Sequence, residues 1–394
     1  MPVEFILFGL TLLGVALLHR HALAVALAGL AAISLYKILI AGFKTGPGLA
    51  GFLGHLGHEW VALANLLGLL TGFALLARHF EQSRAPQALP RLLPSGWQGG
   101  FVMLLAVFAL SAFLDNIAAA LIGGALARQL FRGKVHVGFL AAIVAAANAG
   151  GAGSVIGDTT TTMMWIAGIA PGEVARAYVA AGAALLIVGY FGAKQQHAWS
   201  PIVKAAGDPV RVDGGHIVIV ATLLVFAVLA NVAVSLYFPQ WAGRFPFIGA
   251  AVWAALALTL PLRRHDWAVL PAAAKGALFL LALVLCASMM PVEQLPPASW
   301  ASALALGFVS AVFDNIPLTA LALRQGGYDW GVLAYAVGFG GSLLWFGSSA
   351  GIALASMYPE ARSAARWLRH GWHVALAYVA GFAVMLAALG WHPA

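Results

Sequence analysis

Long apolar runs separated by short polar segments make up the chain, and its two halves repeat the same order of runs. The first half predicts helices at 3–18, 22–43 and 59–78, then apolar runs at 99–129 and 137–168, and a closing helix at 173–192. The second half predicts helices at 216–237, 246–262 and 272–290, then runs at 299–325 and 331–357, and a closing helix at 370–390. A polar linker at 193–215 separates the first repeat (1–192) from the second repeat (216–394).

One run in each half carries an Asp-Asn pair at its middle. Asp115-Asn116 lies in SAFLDNI (111–117), and Asp314-Asn315 lies in SAVFDNI (310–316). Each run is too long for one simple span and suits a re-entrant hairpin whose tip lies at mid-membrane, where non-helical backbone must line a protein cavity. With hairpins at 99–129 and 299–325, each half crosses the membrane an odd number of times. The second repeat is then inverted relative to the first, as in many secondary transporters.

The basic residues give an independent test of this arrangement. Of the 21 Lys and Arg residues, Lys37 lies within a span, four fall on one predicted side and sixteen on the other. The four are Lys44, Arg176, Arg244 and Arg324. Because basic residues concentrate in cytoplasmic loops, the larger group, which includes the linker 193–215, marks the cytoplasmic side. We therefore expect both termini outside the cytoplasm, in a multi-pass protein of a bacterial-type inner (plasma) membrane.

Composition fixes the class of protein. The chain has 394 residues, of which 62% are hydrophobic and only 9% charged, whereas soluble domains carry about 25% charged residues. We predict an all-α polytopic membrane protein of about ten transmembrane helices plus two re-entrant hairpins, with the first apolar run retained as a span. P-loop, HExxH and CxxC motifs are absent from the sequence, so neither an enzyme nor an ATP-driven pump is expected.

Glycine-rich breaks interrupt the runs at 137–168 and 331–357, and the glycines have the same spacing in both. Aligning the glycine pairs places Asp158-Thr159 of the first half on Ser348-Ser349 of the second. The aligned glycines are Gly150, Gly151 and Gly157 in the first half and Gly340, Gly341 and Gly347 in the second. Glycine permits positive φ, so we expect these helices to unwind there. Unwinding would expose carbonyl groups to a cation and helix N-termini to an anion.

The acidic residues in the broken runs are the main functional candidates. Only 13 Asp and Glu residues occur, and burying one at mid-membrane costs about 2.5–3.5 kcal/mol, which makes an ion-binding role the default hypothesis. The predicted ion-binding residues are Asp115, Asn116, Asn148, Ser154, Asp158, Thr159, Thr160, Asp314, Asn315, Ser348 and Ser349. A structural N-cap at each hairpin tip is the competing interpretation. We expect Asp115 to face Asp158, and Asp314 to face Ser348.

Four further polar residues have no assigned role. His55, His58 and Glu59 form HxxHE, which is not a zinc spacing, and an interfacial polar cap is the favoured interpretation. His55 and Glu59 share a helix face only if their helix begins early. Lys37 is expected to snorkel to an interface.

These motifs resemble the ion transporter superfamily, and within it the NhaD-type sodium/proton antiporters, beside the ArsB permeases and the dicarboxylate transporters. The resemblance is carried by NAGGAGSVIGDTTTTMMWI (148–166), SAVFDNIPLTA (310–320) and GGSLLWFGSSAG (340–351), and more weakly by HEWVALANLLGLLTG (58–72). It implies a scaffold domain and a transport domain in each protomer, a homodimer, and an elevator mechanism. The chain departs from the NhaD pattern at Gly153-Ser154-Val155, where that group tends to have Trp-Ser-Pro.

Two functions remain open from the sequence. The first is sodium (or lithium)/proton antiport, in which the ion and protons compete for Asp115, Asp158 and Asp314, with the Asp115 and Asp158 half as the main cation site. The second is sodium- or proton-coupled transport of an organic anion, such as citrate or a dicarboxylate, or of an arsenite-like oxyanion. Carboxylate and hydroxyl oxygens favour a hard cation, and the motifs contain no Arg or Lys to bind a carboxylate. Neither function requires a cofactor.

Overall fold

A computed structural model of the protein describes residues 2–18, 21–88, 93–202, 210–241 and 243–393. Within these residues the chain is helical and contains no strand. In the described part of the chain, six helices are long and apolar enough to cross a membrane, and further apolar helices of 10–17 residues accompany them. The prediction of an all-α polytopic membrane protein is confirmed.

Each predicted apolar run corresponds to one helix or to two helices separated by a break. The helices of the first half are α1 (Val3–Leu17), α2 (Ala22–Tyr36), α3 (Gly48–Gln82), α4 (Ala85–Ala88), α5 (Trp97–Ser111), α6 (Asn116–Leu130), α7 (Val137–Ala152), α8 (Thr159–Ile166), α9 (Pro171–Ala175) and α10 (Ala177–Trp199). Those of the second half are α11 (Gly214–Tyr237), α12 (Phe247–Thr259), α13 (Leu270–Ser288), α14 (Trp300–Ser310), α15 (Asn315–Gln325), α16 (Trp330–Gly340), α17 (Ser349–Met357), α18 (Ala364–His370) and α19 (Trp372–Leu389).

Two helices are longer than the sequence indicates. Helix α3 begins at Gly48 instead of residue 59, so His55 and Glu59 do lie on one helix, one turn apart. Helix α10 continues to Trp199, beyond the predicted boundary at 192. The extra residues include Ala, Lys and Gln, which favour helix, and the Lys194 ammonium lies over the Trp97 and Tyr190 rings.

The helices pack in two groups. The first helix group consists of α1, α2, α3, α11, α12 and α13, which contact one another along the chain and across the two halves. The second helix group contains the interrupted helices α5–α8 and α14–α17 together with α10 and α19. The main contacts between the groups are those of α13 with α15 and of α3 with α8. Each group therefore takes corresponding helices from both halves of the chain.

Ion pairs between loops join segments that were predicted to lie on the same side. Lys44 pairs with Glu293, and Arg176 pairs with Asp329, on the side with few basic residues. Arg78 pairs with Asp266 on the side rich in basic residues. Three of the counted basic residues, Arg20, Arg91 and Lys204, lie outside the described residues. Which side is cytoplasmic, and the inversion of the repeats, stay predictions.

Candidate functional site

A cavity of about 370 Å³ lies between the two helix groups and reaches the breaks in the interrupted helices. One wall comes from α3 and α13, which contribute mainly apolar side chains such as Leu70, Phe73 and Leu280. The opposite wall carries most of the predicted polar residues. These are Asp115, Asn116, Asp158, Thr159, Asn315 and Ser349. The fold thus brings residues from both halves of the sequence to one concave surface.

The aspartates at the three breaks, Asp115, Asp158 and Asp314, each cap the start of a helix. Asp115 accepts a hydrogen bond from the Ile117 backbone N–H at 2.6 Å, and Asp314 accepts one from Ile316 at 3.0 Å. Asp158 accepts from the Thr160 backbone N–H at 2.9 Å and from the Thr160 hydroxyl at 3.0 Å. An Asp N-cap satisfies one of the unpaired N–H groups of a helix start. In Asp115 and Asp314 this bond uses one carboxylate oxygen, Oδ1, so capping and ion binding are compatible.

A hydrogen-bond network joins the tip of the first hairpin to the break between α7 and α8. The Asn116 amide nitrogen donates to Asp158 Oδ2 at 2.9 Å and to Asn148 Oδ1 at 3.1 Å. Asn148 is fully buried, and its own amide nitrogen donates to the hydroxyls of Ser342 at 2.9 Å and Ser348 at 3.2 Å. Because Ser342 and Ser348 belong to the second half of the chain, Asn148 links the two halves of the site.

The second half of the site is organised differently. Asp314 Oδ2 accepts a hydrogen bond from the Ser349 hydroxyl at 3.1 Å, so the expectation that Asp314 faces Ser348 is wrong. The Ser348 hydroxyl instead caps α17 and binds Asn148. The Asn315 amide nitrogen is buried and has no hydrogen-bond partner among the described residues. When the two glycine-rich breaks are aligned, Gly338 and Ser348 occupy the positions of Asn148 and Asp158. The second half therefore lacks the amide and carboxylate oxygens that accept hydrogen bonds from Asn116 in the first half.

The aligned glycines lie at the breaks in both halves and allow close packing there. None of the six is among the residues with positive φ. A Cβ on Gly150 would lie 2.1 Å from the Phe108 carbonyl oxygen, and one on Gly340 would lie 2.2 Å from that of Gly307. The glycines therefore allow α7 and α16 to touch the backbone of the hairpin arms. Gly157 and Gly347 lie in the breaks themselves, where a Cβ would meet the carbonyl oxygens of Ser111 and Ala311.

The other five predicted residues are not part of the cavity lining; they are Asn148, Asp314 and Ser348, described above, and Thr160 and Ser154. Thr160 stands behind Asp158 as its hydrogen-bond donor. Ser154 bonds within its own break, where its hydroxyl accepts from the Ile156 N–H at 3.3 Å. Among the described residues, no group of three His, Cys, Asp or Glu side chains has metal-holding geometry, so Asp115, Asp158 and Asp314 do not converge on one point.

The mouth of the cavity carries charged residues that no sequence pattern indicated. Arg78 and Glu81 of α3 both line the cavity, and the Arg78 guanidinium bonds Glu81 at 3.1 Å and Asp266 at 2.7 Å. This hydrogen bond from Arg78 lowers the pKa of the Asp266 carboxyl, which lies in the loop before α13. Only the pairing of α3 with a loop 188 residues away brings these groups together.

Beside this mouth, three histidines from distant segments form a hydrogen-bonded chain. His79 Nδ1 lies 2.7 Å from His216 Nδ1, and His79 Nε2 lies 2.7 Å from His265 Nδ1. His265 Nε2 lies 2.7 Å from the Leu256 carbonyl oxygen, to which it must donate. A neutral imidazole has one donor and one acceptor nitrogen, so in neutral rings His265 Nδ1 accepts from His79 Nε2. His79 Nδ1 then accepts from His216 Nδ1. No local sequence spacing indicates this chain.

Interrupted helices, buried carboxylates at helix starts and a cavity between two helix groups define the class of protein, a polytopic membrane protein with a polar site built at helix breaks. No protein-family model matches the chain. Two curated proteins of Arabidopsis thaliana do. The chain is 29% identical over 306 residues to "Sodium/proton antiporter 1", covering 66% of this chain and 50% of that protein. It is 30% identical over 309 residues to "Sodium/proton antiporter 2", covering 66% of this chain and 69% of that protein. The chain belongs to the family of these sodium/proton antiporters.

Proposed function

We propose that the protein is a secondary active transporter that exchanges sodium or lithium for protons, with ion and protons competing for the buried aspartates. The observation that carries the proposal is the cavity wall, on which Asp115 and Asp158 lie beside the amide of Asn116 and the hydroxyl of Thr159. Carboxylate, amide and hydroxyl oxygens are the ligands of hard cations. Membership in the family of two sodium/proton antiporters supports the same activity.

The proposed exchange follows from the chemistry of a buried carboxylate. A carboxylate removed from water requires a counter-charge, either a bound proton or a bound cation. Asp158 has one oxygen held by Thr160 and the other by Asn116, so its position is fixed whichever charge it carries. Asp115 leaves its Oδ2 free of the helix cap and lines the same cavity. A cation at this pair would displace protons, which couples the two fluxes.

The organic-anion alternative has less support in the cavity. Its lining includes one basic residue among the described residues, Arg78, at the mouth. Arg78 is already bonded to Glu81 and Asp266, whereas a bound carboxylate would require a free guanidinium or ammonium group.

The proposal includes the expected architecture. The first helix group would act as the scaffold and the second as the transport domain that moves in an elevator mechanism, within a homodimer in a bacterial-type inner membrane. The division of contacts into two groups, with the cavity between them, supports this arrangement.

Everted membrane vesicles test the activity. Adding sodium or lithium should dissipate an imposed pH gradient, and Asp158→Asn should abolish this response. Asp213→Asn is the matched control, because Asp213 also caps a helix but pairs with Arg263 at the surface, and it should retain the response. A gradient insensitive to sodium, lithium and potassium at every pH would contradict the proposal.

A further inference from the structure

A second cavity lies at the opposite end of the same two helices. It encloses about 280 Å³ and is lined by Glu59 and Leu66 of α3, Ser288 of α13, and Arg324 of α15, with residues of α8. Glu59 and Arg78 are nineteen residues apart on α3, which is about 28 Å along a helix. Since a bilayer core is about 30 Å thick, the two cavities open near opposite faces. We call them the Arg78 cavity and the Glu59 cavity.

An apolar layer separates the two cavities. Leu66 and Met163 line the Glu59 cavity, Ile316 lines the Arg78 cavity, and all three belong to one buried cluster with Leu283 and Ala320. Asp115 and Asp158 lie on the Arg78 side of this layer. The structure is therefore open to the site from the Arg78 end and closed at the Glu59 end.

One ion pair lines the Glu59 cavity, and it joins the two helix groups directly. Arg324 in the last turn of α15 bonds Glu59 of α3, whose side chain is only 12% exposed. Among the described residues, the pairs of Arg78 and of Arg263 stay within the first helix group and its loops, and those of Arg176 stay at one end of the second helix group. The Lys44–Glu293 pair joins the loop before α3 to the segment between α13 and α14 and involves no helix of the second group. The Glu59–Arg324 pair connects the first helix group to a hairpin arm of the second.

Each partner of this pair is held by its own group. One turn before Glu59, His55 bonds the Ser288 hydroxyl at 2.8 Å, which ties this end of α3 to α13. Arg324 lies in the last turn of α15, which ends at Gln325 before Gly326 and Gly327, and these two glycines adopt φ of 72° and 73°. These left-handed residues end the hairpin arm at the cavity. A movement of the second helix group against the first must therefore separate Arg324 from Glu59.

We propose that the Glu59–Arg324 ion pair is a latch that stabilises the state open at the Arg78 end and must break before the site opens at the Glu59 end. The inference rests on the proposed function, in which the second helix group moves. It assigns a role to Glu59 as a fixed anchor and to Arg324 as the moving partner. When the pair breaks, the Glu59 carboxylate becomes a free anionic group at the newly opened mouth.

Cysteine labelling in proteoliposomes tests the latch without requiring transport. The single cysteine, Cys286, is replaced by Ala, and reporters are introduced as Ala320→Cys in the Glu59 cavity and Ala273→Cys in the Arg78 cavity. A membrane-impermeant thiol reagent measures their exposure from each side. Because a minor conformer is commonly about 0.1–10% populated, releasing the latch should raise labelling of the Ala320→Cys reporter about tenfold. It should also slow labelling of the Ala273→Cys reporter.

The latch variants are Glu59→Gln and Arg324→Gln, each checked for a monodisperse, folded protein. The exchanged pair Glu59→Arg with Arg324→Glu should restore both labelling rates toward those of the parent. Arg176→Gln is the matched control, because it breaks ion pairs that do not join the two helix groups, and it should leave both rates unchanged. If Arg176→Gln alters the rates as much as Arg324→Gln does, the effect is not specific and the latch is overturned.

Unchanged labelling in Glu59→Gln and Arg324→Gln, or no restoration by a folded exchanged pair, would also overturn the latch. Latch-dependent labelling in a protein that shows no sodium/proton exchange would overturn the proposed function and leave the latch in place. Sodium/proton exchange without latch-dependent labelling would overturn the latch and leave the proposed function in place.

Discussion

Asn148 offers a quantitative test of how the two halves of the site are joined. Its side chain makes three hydrogen bonds, one accepted from Asn116 and two donated to Ser342 and Ser348. Asn65 of α3 is also buried, but its side chain accepts one bond, from the Gly249 N–H at 3.0 Å. Truncating each to Ala removes the same atoms from a buried position, so the comparison isolates the hydrogen bonds.

The expected difference follows from the count of bonds. A buried neutral hydrogen bond contributes about 1 kcal/mol net, and Asn148 makes two more than Asn65. Asn148→Ala should therefore lower the free energy of unfolding by about 2 kcal/mol more than Asn65→Ala. Chemical unfolding in mixed detergent micelles, followed by tryptophan fluorescence, measures both values.

Transport should separate the two variants more sharply. Without Asn148, Asn116 keeps one acceptor, Asp158, and the link to Ser348 is lost. We expect the apparent KM for sodium to rise roughly tenfold, which is 1.4 kcal/mol, in Asn148→Ala and to change little in Asn65→Ala. Equal losses of stability, or an unchanged KM in Asn148→Ala, would refute the reasoning.

Three further predictions address packing, pH and the second half of the site. Gly150→Ala should destabilise the protein by about 1–3 kcal/mol in the same unfolding assay, because its Cβ would lie 2.1 Å from a backbone carbonyl oxygen, whereas Gly182→Ala, with nothing within 4 Å, should not. Asp266→Asn should lower the melting temperature at neutral pH and not below the lowered carboxyl pKa. The pKa of this carboxyl is lower in the folded than in the unfolded protein, so its ion pair stabilises the fold at pH values above the unfolded-state pKa. This stabilisation is lost as the pH falls through the folded-state pKa, and equal losses of stability at both pH values would contradict the prediction. Asn315→Ala should leave stability nearly unchanged, since its amide nitrogen has no partner among the described residues, yet raise the KM for sodium; a large loss of stability would show that the amide has a structural partner.

Much of the fold follows from the sequence, because burial of charge in a membrane is costly and therefore informative. An Asp-Asn pair inside an apolar run has few physical explanations, and helix starts were found at both Asp115 and Asp314. The break before Asp158 was likewise indicated by its glycines and threonines. The helical runs agree with the apolar pattern because each must satisfy its backbone internally.

What the sequence did not indicate depends on contacts between distant segments. Close backbone approaches at the aligned glycines, such as that of Gly150 to Phe108, depend on the partner helix. The Ser349 partner of Asp314 and the Asn148 bonds to Ser342 and Ser348 also required the packed structure. Helix α3 was predicted too short, and the missed residues 48–58 include four glycines, which disfavour helix. The extension is what places His55 on the same helix as Glu59.

Competition between sodium and protons is the central claim, and steady-state exchange in proteoliposomes tests it most directly. Rates are measured over a range of sodium concentrations at several values of pH on the Arg78 side. The account predicts that the apparent KM for sodium rises as pH falls while the maximal rate at saturating sodium stays constant, because the two ions occupy the same carboxylates. A KM independent of pH, with only the maximal rate changing, would contradict it.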